Sequence, residues 1–286
     1  MEGRLTVGDV EVLAFTDAQG PFPLKVSQLF PAVRPEQWLP YRRDYPETFV
    51  DPDTWHAHMG SYVVRTRTRT MLVDTGLGPK PDAFFGGLKG NLPDALARGG
   101  IRPADIDTVI ITHLHPDHVG WNLTAEGKPM FPSARYVVHR ADWAAFQSAE
   151  VQAAFPFQFV DQMITPLERW GVLELVSDEA VISEEVSVRS SPGHTPGHIC
   201  VRISSGGQQA LILGDVVVHP AQVTEPEWQF AFDMDPEVAV TTRKRILGQM
   251  ELEGVTGLQC HFPNPGFGLV TRTSGRRHWQ PLERAL

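Results

Sequence analysis

The sequence predicts an α/β fold in which two mixed β-sheets pack face to face with helices on the outside. Two observations carry this. Short apolar runs at residues 61–66, 70–73 and 108–111 precede helical patterns near 140–150 and 160–170. A second series at 186–190, 199–203 and 210–213 precedes a long helical pattern from 236. Strands followed by helices, twice over, suit two sheets that cover each other's inner faces. Hydrophobic residues also make up 42% of the 286, which is enough for a sizeable core and excludes general disorder. Sandwiches of this size form one unit, so residues 1–286 are expected to be a single domain.

Taken in order, residues 10–15 are mostly apolar and read as an early strand. Residues 20–57 combine many prolines with Phe22, Phe30, Trp38, Tyr41, Tyr45, Phe49 and Trp55. That composition is too proline-rich for a regular helix or a central strand and too aromatic for a disordered linker. It is expected to be a structured N-terminal excursion that fills a groove or a homodimer interface, with a substrate-lining role as the alternative. Residues 61–66 and 70–73 form a strand pair that ends at Asp74-Thr75-Gly76. An amphipathic helix over 92–98 closes at Gly99-Gly100. The run 108–111 does not alternate and reads as a buried strand, and 134–138 is another, ending near His139. Asp235 and Pro236 are the N-cap and first residue of a helix running to about 251, after which a last strand delivers His261.

The chemistry is concentrated in Thr112-His113-Leu114-His115-Pro116-Asp117-His118-Val119-Gly120, directly after a strand. Imidazole nitrogen and carboxylate oxygen are donors that zinc and similar divalent ions accept. Pro116 lacks a backbone donor and disfavours helix at His115, which supports a turn. One histidine here would be an ordinary loop residue; three with an aspartate are too dense for that. Further candidates follow in order, each next to an apolar run: Ser191-Pro192-Gly193-His194-Thr195-Pro196-Gly197-His198, then Gly214-Asp215, then Cys260-His261.

From Asp74-Thr75-Gly76 to His261 this pattern resembles the metallo-β-lactamase-fold hydrolases. The segments Asp215-Val216-Val217-Val218-His219 and His261-Phe262-Pro263-Asn264-Pro265-Gly266 resemble the methyl parathion hydrolase and lactonase branch. The resemblance implies a four-layer αβ/βα sandwich and two divalent ions, zinc being expected and manganese, iron or cobalt also compatible. It implies that His113, His115 and His194 hold one ion, that Asp117, His118 and His261 hold the other, and that Asp215 bridges them. Asp74 and His198 would support these ligands without touching metal, and His219 would either face the site or be an ordinary loop residue. Some lactonases of the family carry a tyrosine where this chain has Val218. Asp215 argues against the β-lactamases themselves, and His115 against the diiron flavoprotein relatives.

The implied activity is hydrolysis of a lactone, carboxylic ester or phosphotriester by a metal-bridging hydroxide, with Asp117 or Asp215 passing a proton to the leaving oxygen. The alternative is a mononuclear iron sulfur dioxygenase-type oxidoreductase, or a thioester hydrolase, on the same fold. A formal charge of −9 argues against a nucleic-acid partner, and no apolar stretch is long enough to cross a bilayer, so a small-molecule substrate is expected. Two cysteines, Cys200 and Cys260, are too few for a disulfide framework, and Met1-Glu2-Gly3-Arg4 opens no signal-like run. A cytoplasmic location is the expectation.

Overall fold

The computed structural model describes residues 3–80, 84–154 and 159–282. Its first sheet contains β1 (Gly3–Val7), β2 (Val10–Lys25), β3 (Phe49–Asp51), β4 (Thr54–Arg65), β5 (Thr70–Val73), β6 (Thr108–Ile110), β7 (Arg135–His139) and β8 (Leu173–Val176). They lie in the order β1-β2-β4-β5-β6-β7-β8, with β3 paired to β4. The second sheet contains β9 (Glu179–Val181), β10 (Val186–Ser190), β11 (Ile199–Ser205), β12 (Gln208–Ile212), β13 (Thr256–Leu258), β14 (Phe267–Thr273) and β15 (Arg276–Pro281). Their order is β15-β14-β13-β12-β11-β10-β9. Both sheets are mixed, since β5 to β8 run parallel and so do β12 and β13, while the remaining pairs are antiparallel.

The non-alternating strands are explained by burial on both faces. Tyr62, Val64, Met71, Val73, Ile110 and Val137 meet Val186, Val188, Val201, Ile203 and Ile212 between the sheets. Their neighbours Val63, Leu72, Val109, Tyr136 and Val138 point the other way, against helical residues such as Leu92, Leu96, Phe146, Ile164 and Leu167. On the far side of the second sheet Cys200 packs with Ile246, Leu247 and Met250 of the helix Pro236–Glu253. The result is the expected four-layer αβ/βα sandwich. That last helix is capped as its sequence predicts, with Asp235 Oδ1 accepting from the Val238 N–H at 3.0 Å.

Several local expectations change. The 20–57 segment is bounded by regular strand, because β2 extends through Pro21 and Pro23 to Lys25. Among the described residues β1 pairs with β2 only as far as Ala14, so beyond that point no named strand pairs with that edge of β2, and proline is tolerated. The helix expected near 140–150 divides into Arg140–Phe146 and Ala149–Ala154. The one near 160–170 begins as a π-helical turn, Val160–Ile164, before Thr165–Arg169, whose Pro166 cannot donate within a continuous α-helix. The hairpin β14–β15, turning at Ser274-Gly275, lies outside the sequence reading altogether. No helix among the described residues is long and apolar enough to cross a membrane.

Candidate metal centre

The chemistry gathers at the carboxyl ends of two parallel strand pairs, one in each sheet. β5 leads into Asp74, β6 into the histidine loop, β12 into Asp215 and β13 into Cys260-His261. Asp74 takes a left-handed backbone at φ 59° and turns its carboxylate under the histidine loop. There Oδ1 accepts from the Thr112 N–H at 2.7 Å and Oδ2 from the Thr112 hydroxyl at 2.8 Å. Gly214 is also left-handed, at φ 52°, and a Cβ there would meet His198 Nε2 at 2.5 Å. Glycine is therefore required where the backbone turns into Asp215.

Two groups of donors face each other across Asp215. His113 Nε2, His115 Nδ1 and His194 Nε2 converge, with successive separations of 3.1 and 2.9 Å. His118 and His261 form the other group, with Asp117 Oδ2 3.7 Å from the Nε2 of each. Asp215 divides its oxygens between them. Oδ2 lies 3.2 Å from His194 and 3.9 Å from His113, while Oδ1 lies 3.1 Å from His261 and 3.4 Å from His118.

The hydrogen-bond network fixes which nitrogen carries each proton. The Thr112 hydroxyl donates to Asp74, so it accepts from His113 Nδ1–H at 3.1 Å. His118 Nδ1 donates to Asp74 Oδ2 at 2.8 Å, His194 Nδ1 to Asp233 Oδ1 at 3.0 Å, and His261 Nδ1 to the His58 carbonyl at 2.7 Å. All four Nε2 lone pairs therefore point inward. His118 Nε2 is buried and has no hydrogen-bond partner among the described residues. Converging lone pairs at such distances repel unless a cation lies among them, and nitrogen donors on a tetrahedral zinc sit about 3.3 Å apart. The residues fit divalent metal.

Electrostatics agrees with a shared cationic centre. Burial and neighbouring imidazoles hold His113 and His115 well below the usual histidine range, keeping them neutral donors. Burial opposes ionisation of Asp215, but His261, His118, His113 and His194 outweigh it and hold the carboxyl well below its ordinary value. Burial works against protonation of His194 too, yet Asp215 and Asp233 raise it to about 9. Protons and a divalent ion compete for the same lone pairs.

His198 supports the site through the backbone. Its Nε2 accepts from the Asp215 N–H at 2.9 Å, and its Nδ1 donates to the Ser191 hydroxyl at 2.7 Å. His219 stands apart. Its Nδ1 accepts from the Ala221 N–H at 3.1 Å, its Nε2 meets the Thr48 hydroxyl at 2.9 Å, and its ring packs on Trp38 and Phe49. His139 likewise caps a helix, accepting from the Ala141 N–H.

Four contributors were not legible in the sequence. Asp142 accepts from the Leu114 N–H, the Thr195 hydroxyl and the Gly197 N–H, stapling the His113–His115 loop to the His194 loop. Gln259 ties the carbonyl of Gly214 to the N–H of His261. Asp233 orients His194. Cys260, read as a small core residue, is buried as expected, but its Sγ also lies 3.9 Å from Asp215 Oδ1. Asp142 and Asp233 carry no spacing signal because they reach the site from a helix and a loop remote in sequence, while Gln259 and Cys260 stand beside His261 but show their contacts only once the chain is folded.

A cavity of about 360 Å³ opens over Asp215, His115, His194 and His261. Its walls include Phe22 and Trp55 from the N-terminal excursion, together with Phe84, Phe85, Phe230 and Phe232. Val218 lines it, and among the described residues no lysine, arginine or tyrosine does.

The metallo-beta-lactamase superfamily pattern matches residues 61–261. The chain is 26% identical to an N-acyl homoserine lactonase of Bacillus sp over 216 residues, 70% of this chain and 78% of that one. Its fold matches that of AidC, a dizinc quorum-quenching lactonase solved in complex with a product, N-hexanoyl-L-homoserine. The TM-score is 0.85 at 22% identity, covering 99% of this chain and 98% of that one. It also matches the hydrolase AbOPH, with a TM-score of 0.83 at 23% identity over 99% and 98% of the two chains. With the family pattern spanning every cluster from β4 to His261, this chain belongs to the metallo-beta-lactamase superfamily.

Proposed function

We propose that this protein is a dinuclear metal-dependent hydrolase that opens neutral lactones bearing a large apolar substituent, of the N-acyl homoserine lactone type. The observation that carries the reading is the division of the Asp215 carboxylate between two inward-facing imidazole groups at the floor of an aromatic cavity. His113, His115 and His194 would hold one ion, His118, His261 and Asp117 the other, and Asp215 both. Two divalent ions, when bound, supply Lewis acidity towards water and the substrate carbonyl. Aromatic walls bury an acyl chain, and the absence of lysine and arginine from the described walls disfavours phosphate monoesters and other anions. With valine at 218, no phenol at that position polarises the carbonyl. Asp117, whose side chain is 12% exposed, is the carboxylate more open to solvent and the better placed to take a proton from the attacking water and pass it to the leaving oxygen.

The test is zinc- or manganese-loaded protein assayed side by side against acyl lactones, aryl esters and phosphotriesters, with bound metal and oxygen uptake followed on the same samples. The expected result is two ions per chain and the highest kcat/KM on a long-chain lactone. Oxygen consumption with a single iron and no lactone opening would overturn it in favour of the oxidoreductase alternative.

A further inference from the structure

Arg243, on the helix Pro236–Glu253, is a guanidinium with 1% exposure, among the largest fully buried side chains of the protein. Its Nε donates to the Val216 carbonyl at 2.7 Å, and its Nη1 donates to the carbonyls of Pro226 at 3.0 Å and Trp228 at 2.9 Å. Its Nη2 reaches Asp233 Oδ2 at 3.3 Å. Asp233 is buried as well, and its other oxygen accepts from His194 Nδ1 at 3.0 Å. A single cation thus touches the backbone immediately after Asp215 on one side, and on the other the carboxylate that orients His194. Those two residues meet at the centre, Asp215 Oδ2 standing 3.2 Å from His194 Nε2.

An interior ion pair is weak evidence of stability, because desolvating both charges offsets much of their attraction. A buried arginine serving only the backbone would need carbonyls alone. Here one arm of the planar fork is spent on a carboxylate, and that carboxylate is spent on a histidine whose other nitrogen faces the donor cluster. A carboxylate behind a metal-facing histidine fixes its tautomer and raises its basicity, and loss of such partners typically weakens metal binding about 10–100-fold. Arg243 holds that carboxylate in place.

We infer that Arg243 is a positioning residue of the metal centre, acting through Asp233 to fix the His194 tautomer and direction, and so setting the metal affinity of the His113–His115–His194 group. The inference rests on the reading of that group as a metal site. The same guanidinium anchors the turn at 226–228 ahead of Phe230, which joins one metal group to one cavity wall.

The experiment compares wild type with Asp233→Asn, Arg243→Met and Arg243→Lys. Zinc affinities are measured by competition with a chromophoric chelator, and the visible spectrum of each cobalt-loaded protein is recorded. Far-UV circular dichroism checks the fold. Asp233→Asn and Arg243→Met should each weaken one of the two zinc ions about 10–100-fold, leave the other near wild type, and alter the cobalt bands. Arg243→Lys, which keeps the cation, should restore affinity to within a few-fold. If Arg243→Met fails to fold, the near-isosteric Asp233→Asn carries the test with the same expectation. Wild-type affinities and spectra in Asp233→Asn and in folded Arg243→Met would overturn the positioning role while leaving the metal centre standing. His113→Ala separates the two failures: unchanged zinc stoichiometry in that variant would remove the metal-site reading itself, and this inference with it.

Discussion

His118 Nδ1 donates to Asp74 Oδ2 at 2.8 Å, and Asp74 receives it from a left-handed backbone at φ 59°. The residue that follows β5 therefore makes a turn and aims the His118 imidazole into the donor cluster with the same side chain. Asp74→Asn tolerates the left-handed backbone but replaces one accepting oxygen with an amide that cannot accept. The expected outcome is about a 10–100-fold loss of affinity at the His118–His261 group with a small change in Tm. Asp74→Ala should show the same loss plus backbone strain of about 1 kcal/mol or more, read from chemical unfolding. Undiminished metal retention in both after dialysis against a chelator would contradict the role given to Asp74.

Asp215 faces both donor groups, so on the proposed dinuclear reading its loss should affect both ions. Asp215→Ala is expected to reduce bound zinc below two per chain and to lower kcat by about 100-fold or more, judged by metal analysis and steady-state kinetics. A variant that retained two tightly bound ions would count against bridging.

The aromatic N-terminal segment divides its labour. Trp38 is 1% exposed and packs on Phe30, Tyr41 and Trp228 away from the cavity, whereas Trp55 lines the cavity beside His261. Trp38→Ala should cost about 3–5 kcal/mol of stability with kcat/KM per folded molecule nearly intact. Trp55→Ala should raise KM about tenfold for long-chain substrates and less for short ones. Thermal melting and kinetics across a chain-length series on the same preparations separate the two effects.

Buried His219 predicts a pH dependence of stability. Burial pushes it from 6.5 down to about 3, so it folds neutral. Between those values the unfolded chain binds more protons than the folded one, and stability rises with pH. The contribution is complete above 6.5 and is lost as pH falls towards 3. At pH 5 the loss relative to neutral pH amounts to about 2 kcal/mol. Urea unfolding of His219→Asn and wild type at pH 7.5 and 5 gives this term by subtraction, which cancels the similarly depressed His198 and His58. The variant should lose less stability than wild type on acidification, and identical losses would refute the assignment.

By itself the sequence determined the sandwich and marked the histidine loop, His194, Asp215 and His261 as candidate donors, since strands and the turns that end them are written in short-range chemistry. Apolar runs buried on two faces mark β5, β6, β11 and β12, and the residues that end strands, His113 to His118 and Asp215, need only local turns to leave the sheet. The start of the helix Pro236–Glu253 follows from Asp235 and Pro236, while its end, expected near 251, falls two residues later at a left-handed Gly254. Only the tertiary structure decided which oxygen of Asp215 faces which imidazoles, that Asp142, Asp233 and Gln259 hold the loops, and that His219 turns away into the aromatic cluster. It also decided that Phe22 and Trp55 line the cavity while Trp38 does not. The physical reason is that a buried polar or aromatic side chain must satisfy partners from several loops at once, and the spacing of residues along one chain does not record which loops will meet.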